Sequence, residues 1–164
     1  MSDPVRPIDI DSLEWREMKQ DGRFAHRRKQ LGAAAGGRML GCSLFEIAPG
    51  KRAFPYHWHT ANEEAIYVLS GRGSLRLAGR ETPLSEADYV ALLTGEQGAH
   101  QLINDGEAPL RYVCVSTMLE PEAVVQPASG KVGLIAGSPP GSEQPRTLCA
   151  WFRRSDAVEF LSED

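Results

Sequence analysis

The chain has 164 residues, enough for one domain with its own hydrophobic core. Hydrophobic residues make up 41% and charged residues 24%, the balance of an ordinary globular protein. Net charge is −4 and the densest basic run is only HRRK, His26 to Lys29, which argues against nucleic acid or an anionic membrane as partner.

The N-terminal stretch MSDPVRPIDIDSLEW is polar and reads as neither a signal peptide nor a transit peptide. Asp11 to Lys19 is the best of the few short helix candidates. Arg23 to Gln30 reads as a strand, ended by the small-residue loop GAAAGG, residues 32–37. Met39 to Ile47 is the next strand, stopped by APG. Phe54 to His59 follows, stopped by TAN. Ala65 to Leu69 turns through SGRG into Ser74 to Leu77, and AGRE turns again. Tyr89 to Leu93 is introduced by the turn SEAD. GEQG makes a loop before His100 to Ile103, and Leu110 to Thr117 is the longest β-run. Lys131 to Gly137 and Thr147 to Phe152 are peripheral strands on either side of a flexible SPPGSEQP segment. Short apolar runs punctuated by 16 glycines and 11 prolines predict an all-β sandwich or barrel. The expected organisation is an N-terminal arm and strand over residues 1–38, a barrel over 39–120 and a C-terminal extension over 121–164. Three widely spaced cysteines, Cys42, Cys114 and Cys149, do not form a secreted disulfide pattern and point to a reducing cytoplasm. Cys42, Cys114 and Trp151 read as packing residues. No apolar run approaches the roughly 20 residues of a membrane helix.

The chemistry concentrates in HWHTANEEAIYVLSG, His57 to Gly71. Side chains two apart on a strand point the same way, so His57 and His59 share a face. Imidazole nitrogens at that spacing can converge on one ion at about 2.0–2.1 Å. TAN turns the chain, and the next strand brings back Glu63 or Glu64. Alternation favours Glu64 only slightly, since Ile66 and Val68 share its face while Glu63 would share one with Ala65, Tyr67 and Leu69. His100 arrives later, on one face with Leu102 and Asn104. Three histidines and a carboxylate from three strands can hold a divalent metal and leave positions open for a ligand. A nitrogen and oxygen donor set without sulfur favours Mn, Fe, Co, Ni or Zn. The fourth histidine, His26 in HRRK, reads as solvated. The same alternation puts Phe54, Tyr56 and Trp58 on the face opposite the histidines, covered by another element or at a subunit interface.

These residues resemble the cupin superfamily. Gly50, His57, His59, Glu64 and Gly71 follow its first motif, and the six-residue gap from Glu64 to Gly71 selects Glu64 over Glu63. Asp88, His100 and Asn104 follow the second. Ala87 stands where the motif has glycine, and TGEQGAH replaces its Pro-x-Gly loop. The resemblance spans about Gly41 to Thr117. It implies a single-domain double-stranded β-helix, or jelly-roll cupin barrel, with peripheral N- and C-terminal strands. It also implies one divalent metal on His57, His59, Glu64 and His100, a small-molecule ligand in the barrel, and a homodimer.

Such a site suits a metal-dependent enzyme on a small oxygen-rich organic substrate: a dioxygenase, an isomerase or epimerase, or a lyase. The alternative is a non-enzymatic cupin that binds a sugar or organic acid. Tyr67, Tyr112 and Glu63 are the candidate acid or base groups. The roughly 40 residues before the barrel lack the two helices of a DNA-binding module.

Overall fold

The computed structural model describes residues 7–20, 22–140, 142 and 144–160. Residues 1–6 of the N-terminal stretch, and Gly141 and Glu143 of SPPGSEQP, lie outside the described residues. Among the described residues the strands are β1 (Arg16–Gln20), β2 (Phe24–Gln30), β3 (Leu40–Ile47), β4 (Trp58–His59) and β5 (Glu64–Ser70). Then come β6 (Arg72–Leu77), β7 (Arg80–Ser85), β8 (Tyr89–Leu92) and β9 (His100–Ile103). β10 (Leu110–Thr117), β11 (Glu122–Gln126), β12 (Lys131–Ala136) and β13 (Leu148–Arg153) complete the set. The helix α1 (Leu31–Ala34) is a single turn. Three antiparallel sheets result, in the orders β1-β2-β3-β10-β5-β8, β13-β12-β11-β4 and β7-β6-β9. They wrap into a jelly-roll barrel.

Period-two alternation builds the interior. In β5, Ile66 and Val68 are buried while the alternate residues Tyr67 and Leu69 are exposed. The core joins Phe45, Ile47, Ile66, Val68, Leu75, Leu84, Leu92, Leu102, Leu110 and Tyr112. Burying a side chain of this size stabilises by about 1.5–3 kcal/mol. Asn104 fastens one end: fully buried, its Nδ2 donates to the carbonyls of Ile47 at 2.7 Å and Ala108 at 2.9 Å, and its Oδ1 accepts from Gly106 N at 3.0 Å.

Several local readings give way to tertiary pairing. Asp11 to Lys19 is not a helix. Residues 16–20 are β1, in register with β2 from Arg16–Arg28 to Gln20–Phe24. A ladder partner outweighs a weak helical propensity. Only Trp58–His59 of the expected Phe54–His59 strand is regular, because Pro55 and the close approach to β9 interrupt it. Phe54 therefore does not lie opposite the histidines; it packs against the core, with its ring centroid 6.0 Å from that of Phe45. His26 is not solvated. It is 7% exposed, its Nδ1 donates to the Ala53 carbonyl at 2.8 Å, and its ring lies 4.4 Å from Phe54. The neighbouring cations take the outer face instead, where Arg27 and Lys29 lie over the Trp15 ring. Strands β7 and β11 also join the sheets; β7 offers little apolar signal, with Leu84 its one buried residue.

Two backbone positions carry the barrel's turns. Gly71 has φ +89°, and a Cβ there would collide with the Pro109 carbonyl. Ala87 also has positive φ, +71°, next to Asp88, whose Oδ2 accepts from Ser85 N at 2.7 Å. An L-residue in that region is strained by about 1–2 kcal/mol. Two changes of opposite sign are therefore expected in urea denaturation. Gly71→Ala lowers stability by more than about 1 kcal/mol, and Ala87→Gly raises it by up to about 1 kcal/mol.

Candidate metal centre

The three sheets meet at one cluster of donors. β4 of the four-stranded sheet carries His59. β5 of the six-stranded sheet opens with Glu64. β9 of the three-stranded sheet opens with His100. His57 joins through an isolated bridge to His100, with His57 N donating to His100 O at 3.1 Å and the reverse bond at 2.8 Å. Each donor is thus fixed by backbone pairing, and the short TAN turn sets the spacing between His59 and Glu64.

Ligand atoms of His57, His59 and Glu64 all lie within 4.8 Å of one another. His100 stands beside this trio: its Nε2 is 3.3 Å from Glu64 Oε2, and its ring centroid is 4.6 Å from that of His57 and 6.3 Å from that of His59. The Nδ1 atoms of His57 and His100 donate to the carbonyls of Pro55 and Gly98, each at 2.8 Å. A carbonyl only accepts, so Nδ1 carries the proton and Nε2 presents its lone pair. A lone pair facing a carboxylate oxygen at 3.3 Å calls for a proton or a cation between them. The donor set of imidazole nitrogen and carboxylate oxygen, partly closed off from water, therefore fits a divalent ion.

Glu122 supports the centre from outside. It is 1% exposed, and its Oε2 lies 3.5 Å from His59 Nδ1, which is buried and has no closer partner. Its oxygens also accept from Thr60 N and Oγ1 at 2.9 Å each, from Ala61 N at 3.1 Å and from Asn62 N at 3.0 Å. Asn62 Nδ2 is a further donor. One buried carboxylate thus clamps the whole TAN turn and faces the back of a candidate ligand. Nothing in local sequence marks it, because its partners lie about sixty residues upstream.

Charge follows geometry. Burial alone would raise the Glu64 carboxyl, but the neighbouring His100, His59 and His57 imidazoles hold it down, to about 2. Burial, with His100 and His59 adding to it, pushes His57 down to about 3. Burial also works against a charged His59, yet Glu122 and Glu64 outweigh it and the imidazole is raised. Glu122 is itself held to about 2: burial acts upward, while His59, Asn62 and the turn amides act downward.

Other candidates from the sequence separate. Tyr112 is 2% exposed, stacks on Phe45 with centroids 5.1 Å apart and lines the cleft that opens on the donors. Burial, with Cys114 and Glu64 nearby, raises its hydroxyl well above the ordinary range. Glu63 is exposed beside Glu64, and Tyr67 is 44% exposed on the outer face of β5, so the structure does not bring either to the donors. Cys114 lines the same cleft, with its thiol pushed well up by burial and by Glu64.

Residues 43–116 match the family model for the cupin domain. Those residues form a cupin domain. A structure from Acidithiobacillus ferrooxidans, provisionally assigned as a sugar phosphate isomerase, is similar over 94% of this chain and 93% of its own, with 28% identity and a TM-score of 0.77. A cupin-superfamily sugar phosphate isomerase from Silicibacter pomeroyi is similar over 95% of this chain and 98% of its own, with 23% identity and a TM-score of 0.78. An oxalate decarboxylase, so named by prediction, from Thermotoga maritima is similar over 70% of this chain and all of its own, with 18% identity and a TM-score of 0.60. No curated protein matches the sequence. No helix among the described residues is long and apolar enough to cross a membrane.

Two expectations follow for this site. Glu122→Gln keeps the shape but weakens the hold on His59, so divalent-metal affinity, read by chelator competition, falls roughly 10- to 100-fold. The second concerns metal-free protein. His57, Glu64 and Glu122 all have folded pKa values below the ordinary 6.5 or 4.5, so the unfolded chain binds more protons in those windows and stability rises with pH there. Urea midpoints of chelator-treated protein should fall as pH drops from 6.5 towards 3, steepening below 4.5 as the carboxylates add to the imidazole. His59 acts in the opposite sense: it stabilises at pH below 6.5, and that contribution fades as pH rises past its raised folded value. A flat midpoint through the acid window would contradict the assignment.

Proposed function

We propose that this cupin is a metal-dependent isomerase of a small phosphorylated sugar, with His57, His59, Glu64 and His100 as ligands of one divalent ion. The supporting observation is the charge of the cleft above the donors. In a chain of net charge −4, its lining includes Arg23, Arg28, Arg38, Arg52 and Arg76, with Lys131 and Arg153 from the C-terminal hairpin. Among the described residues, Glu64 and Asp156 are the acidic groups that line it. Charge segregated this way recruits an anion and leaves the rest of the surface acidic. At about 2440 Å³ the cleft is open and larger than the roughly 300–1,000 Å³ of an enclosed ligand pocket. Likeness to the Acidithiobacillus protein along nearly the whole chain supports the same substrate class.

Isomerisation of a sugar phosphate takes a proton from the hydroxyl-bearing carbon onto a base that exchanges with water and returns it to the carbonyl carbon, so both oxygens must be held meanwhile. A bound divalent ion supplies Lewis-acid polarisation of those oxygens. Tyr112 stays protonated and donates its O–H to a substrate oxygen; it does not act as the base. Glu64, held near 2, stays ionised and keeps its charge for the cation. The cationic wall holds the phosphate and fixes which end of the sugar reaches the donors. Apolar Phe45, Ile66 and Leu92 close the floor against water. The same reading includes a homodimer in a reducing cytoplasm, consistent with three free cysteines.

The test is isotopic. Metal-loaded protein, purified without an affinity metal and with its ion named by elemental analysis, is incubated with aldose and ketose phosphates in D₂O. Deuterium should enter the carbon next to the carbonyl. That incorporation should vanish with chelator and with His57→Ala/His59→Ala, and Tyr112→Phe should lower kcat by about 10-fold or more. Exchange equally fast on the unphosphorylated sugars would refute the phosphate requirement. Stoichiometric binding with no exchange would favour a sensor.

A further inference from the structure

The inner face of the four-stranded sheet reads across in one row. His59 pairs with Val124, Val124 with Gly133, and Gly133 with Trp151. Directly opposed residues of antiparallel strands share a face, so Trp151 stands on the same side as the candidate metal centre. At about 4.8 Å per strand, its Cα lies roughly 14 Å from that of His59. The indole leans back from there. A Cβ on Gly133 would lie 2.9 Å from Cε2, Cζ2 and Cη2 of Trp151, so the ring rests on bare backbone one strand nearer the donors. Glycine inside a strand weakens it and marks the close approach of another group, here the indole. Yet Trp151 is not buried by that contact: it stays 48% exposed and lines the cleft. The next pair on the same face is Lys131 with Arg153. Both are exposed, both line the cleft, and neither has a side-chain hydrogen bond or ion pair among the described residues.

We propose that Trp151, laid on Gly133 and flanked by Lys131 and Arg153, forms a distal substrate subsite: the indole takes the C–H face of the sugar and the two cations take its phosphate. This rests on the isomerase reading and names the residues that position the substrate. Two strand spacings separate the Gly133 shelf from His59, roughly 10 Å, a span suited to an extended sugar phosphate. An amphipathic aromatic with one face wet and one face on protein is a common carrier of such contacts.

The experiment uses full-length, metal-loaded protein with Trp15→Phe and Trp58→Phe, which leaves Trp151 as the sole indole. The probes are glucose 6-phosphate, glucose and inorganic phosphate, with emission and calorimetry read together. Glucose 6-phosphate should shift Trp151 emission and protect it from acrylamide. Trp151→Ala should weaken glucose 6-phosphate binding roughly tenfold with metal affinity unchanged. Gly133→Ala, which displaces the ring without removing it, should weaken it as well. Lys131→Ala/Arg153→Ala, at surface positions that folding tolerates, should weaken glucose 6-phosphate binding and leave glucose binding alone. Calorimetric binding of glucose 6-phosphate that is unchanged in all these variants overturns the subsite and leaves the isomerase reading standing. Metal-loaded wild type that binds neither glucose 6-phosphate nor any other sugar phosphate overturns both. Emission that follows protein concentration and ignores ligand assigns the shelf to a contact between copies and overturns the subsite.

Discussion

A carboxylate and three imidazoles share the interior of an apolar barrel, and that arrangement constrains everything around it. Polar groups in such a place are costly unless each atom has a partner. The fold supplies partners for the outward-facing atoms: Pro55 and Gly98 carbonyls for two imidazoles, and Glu122 behind the third. The inward-facing lone pairs and the Glu64 carboxylate are left to face one another. Their backbone positions come from ladders in three separate sheets, and the Pro55 and Gly98 carbonyls hold two of the rings in place. A rigid scaffold holding mutually repelling acceptors is a ready receptor for a cation.

The chain outside the matched cupin segment takes part in this arrangement. Glu122 follows the matched segment by a few residues, yet it binds the turn that spaces His59 from Glu64. β11 then carries the sheet from β4 outward to β12 and β13, which brings Lys131, Trp151 and Arg153 to the cleft. Likeness over more than nine-tenths of two other chains shows that these flanking strands recur with the barrel as one architecture. The C-terminal strands therefore form a wall of the cleft as well as a cover for the core.

Strand-scale patterning was readable wherever one face was buried and the other wet. β9 and β10 occupy the residues their alternation indicates, and β5 differs by one residue at each end. Legibility failed for physical reasons that differ from case to case. β1 is polar and exposed, and exists because β2 offers it a ladder. β7, RETPLS, is almost entirely exposed and carries a proline, so it has no apolar signature. Phe54 turned inward because the chain around Pro55 is not a regular strand, and parity arguments apply only where the pleat continues. His26 looked solvated beside two arginines and a lysine, but alternation along β2 sends it inward while Arg27 faces out to Glu46.

The sequence by itself determined the β-class, the His57–His59 pair, the arrival of a glutamate after a tight turn, and His100 on a later strand. Those are local facts, carried by residue type and by spacings of a few positions. Tertiary structure decided which carboxylate supports His59, which tyrosine reaches the cleft, and that Trp151 lies bare on Gly133 beside two cations. Each of those depends on pairing between residues far apart in the chain. A register between distant strands leaves no periodic trace in either one, so only the closed barrel could reveal it.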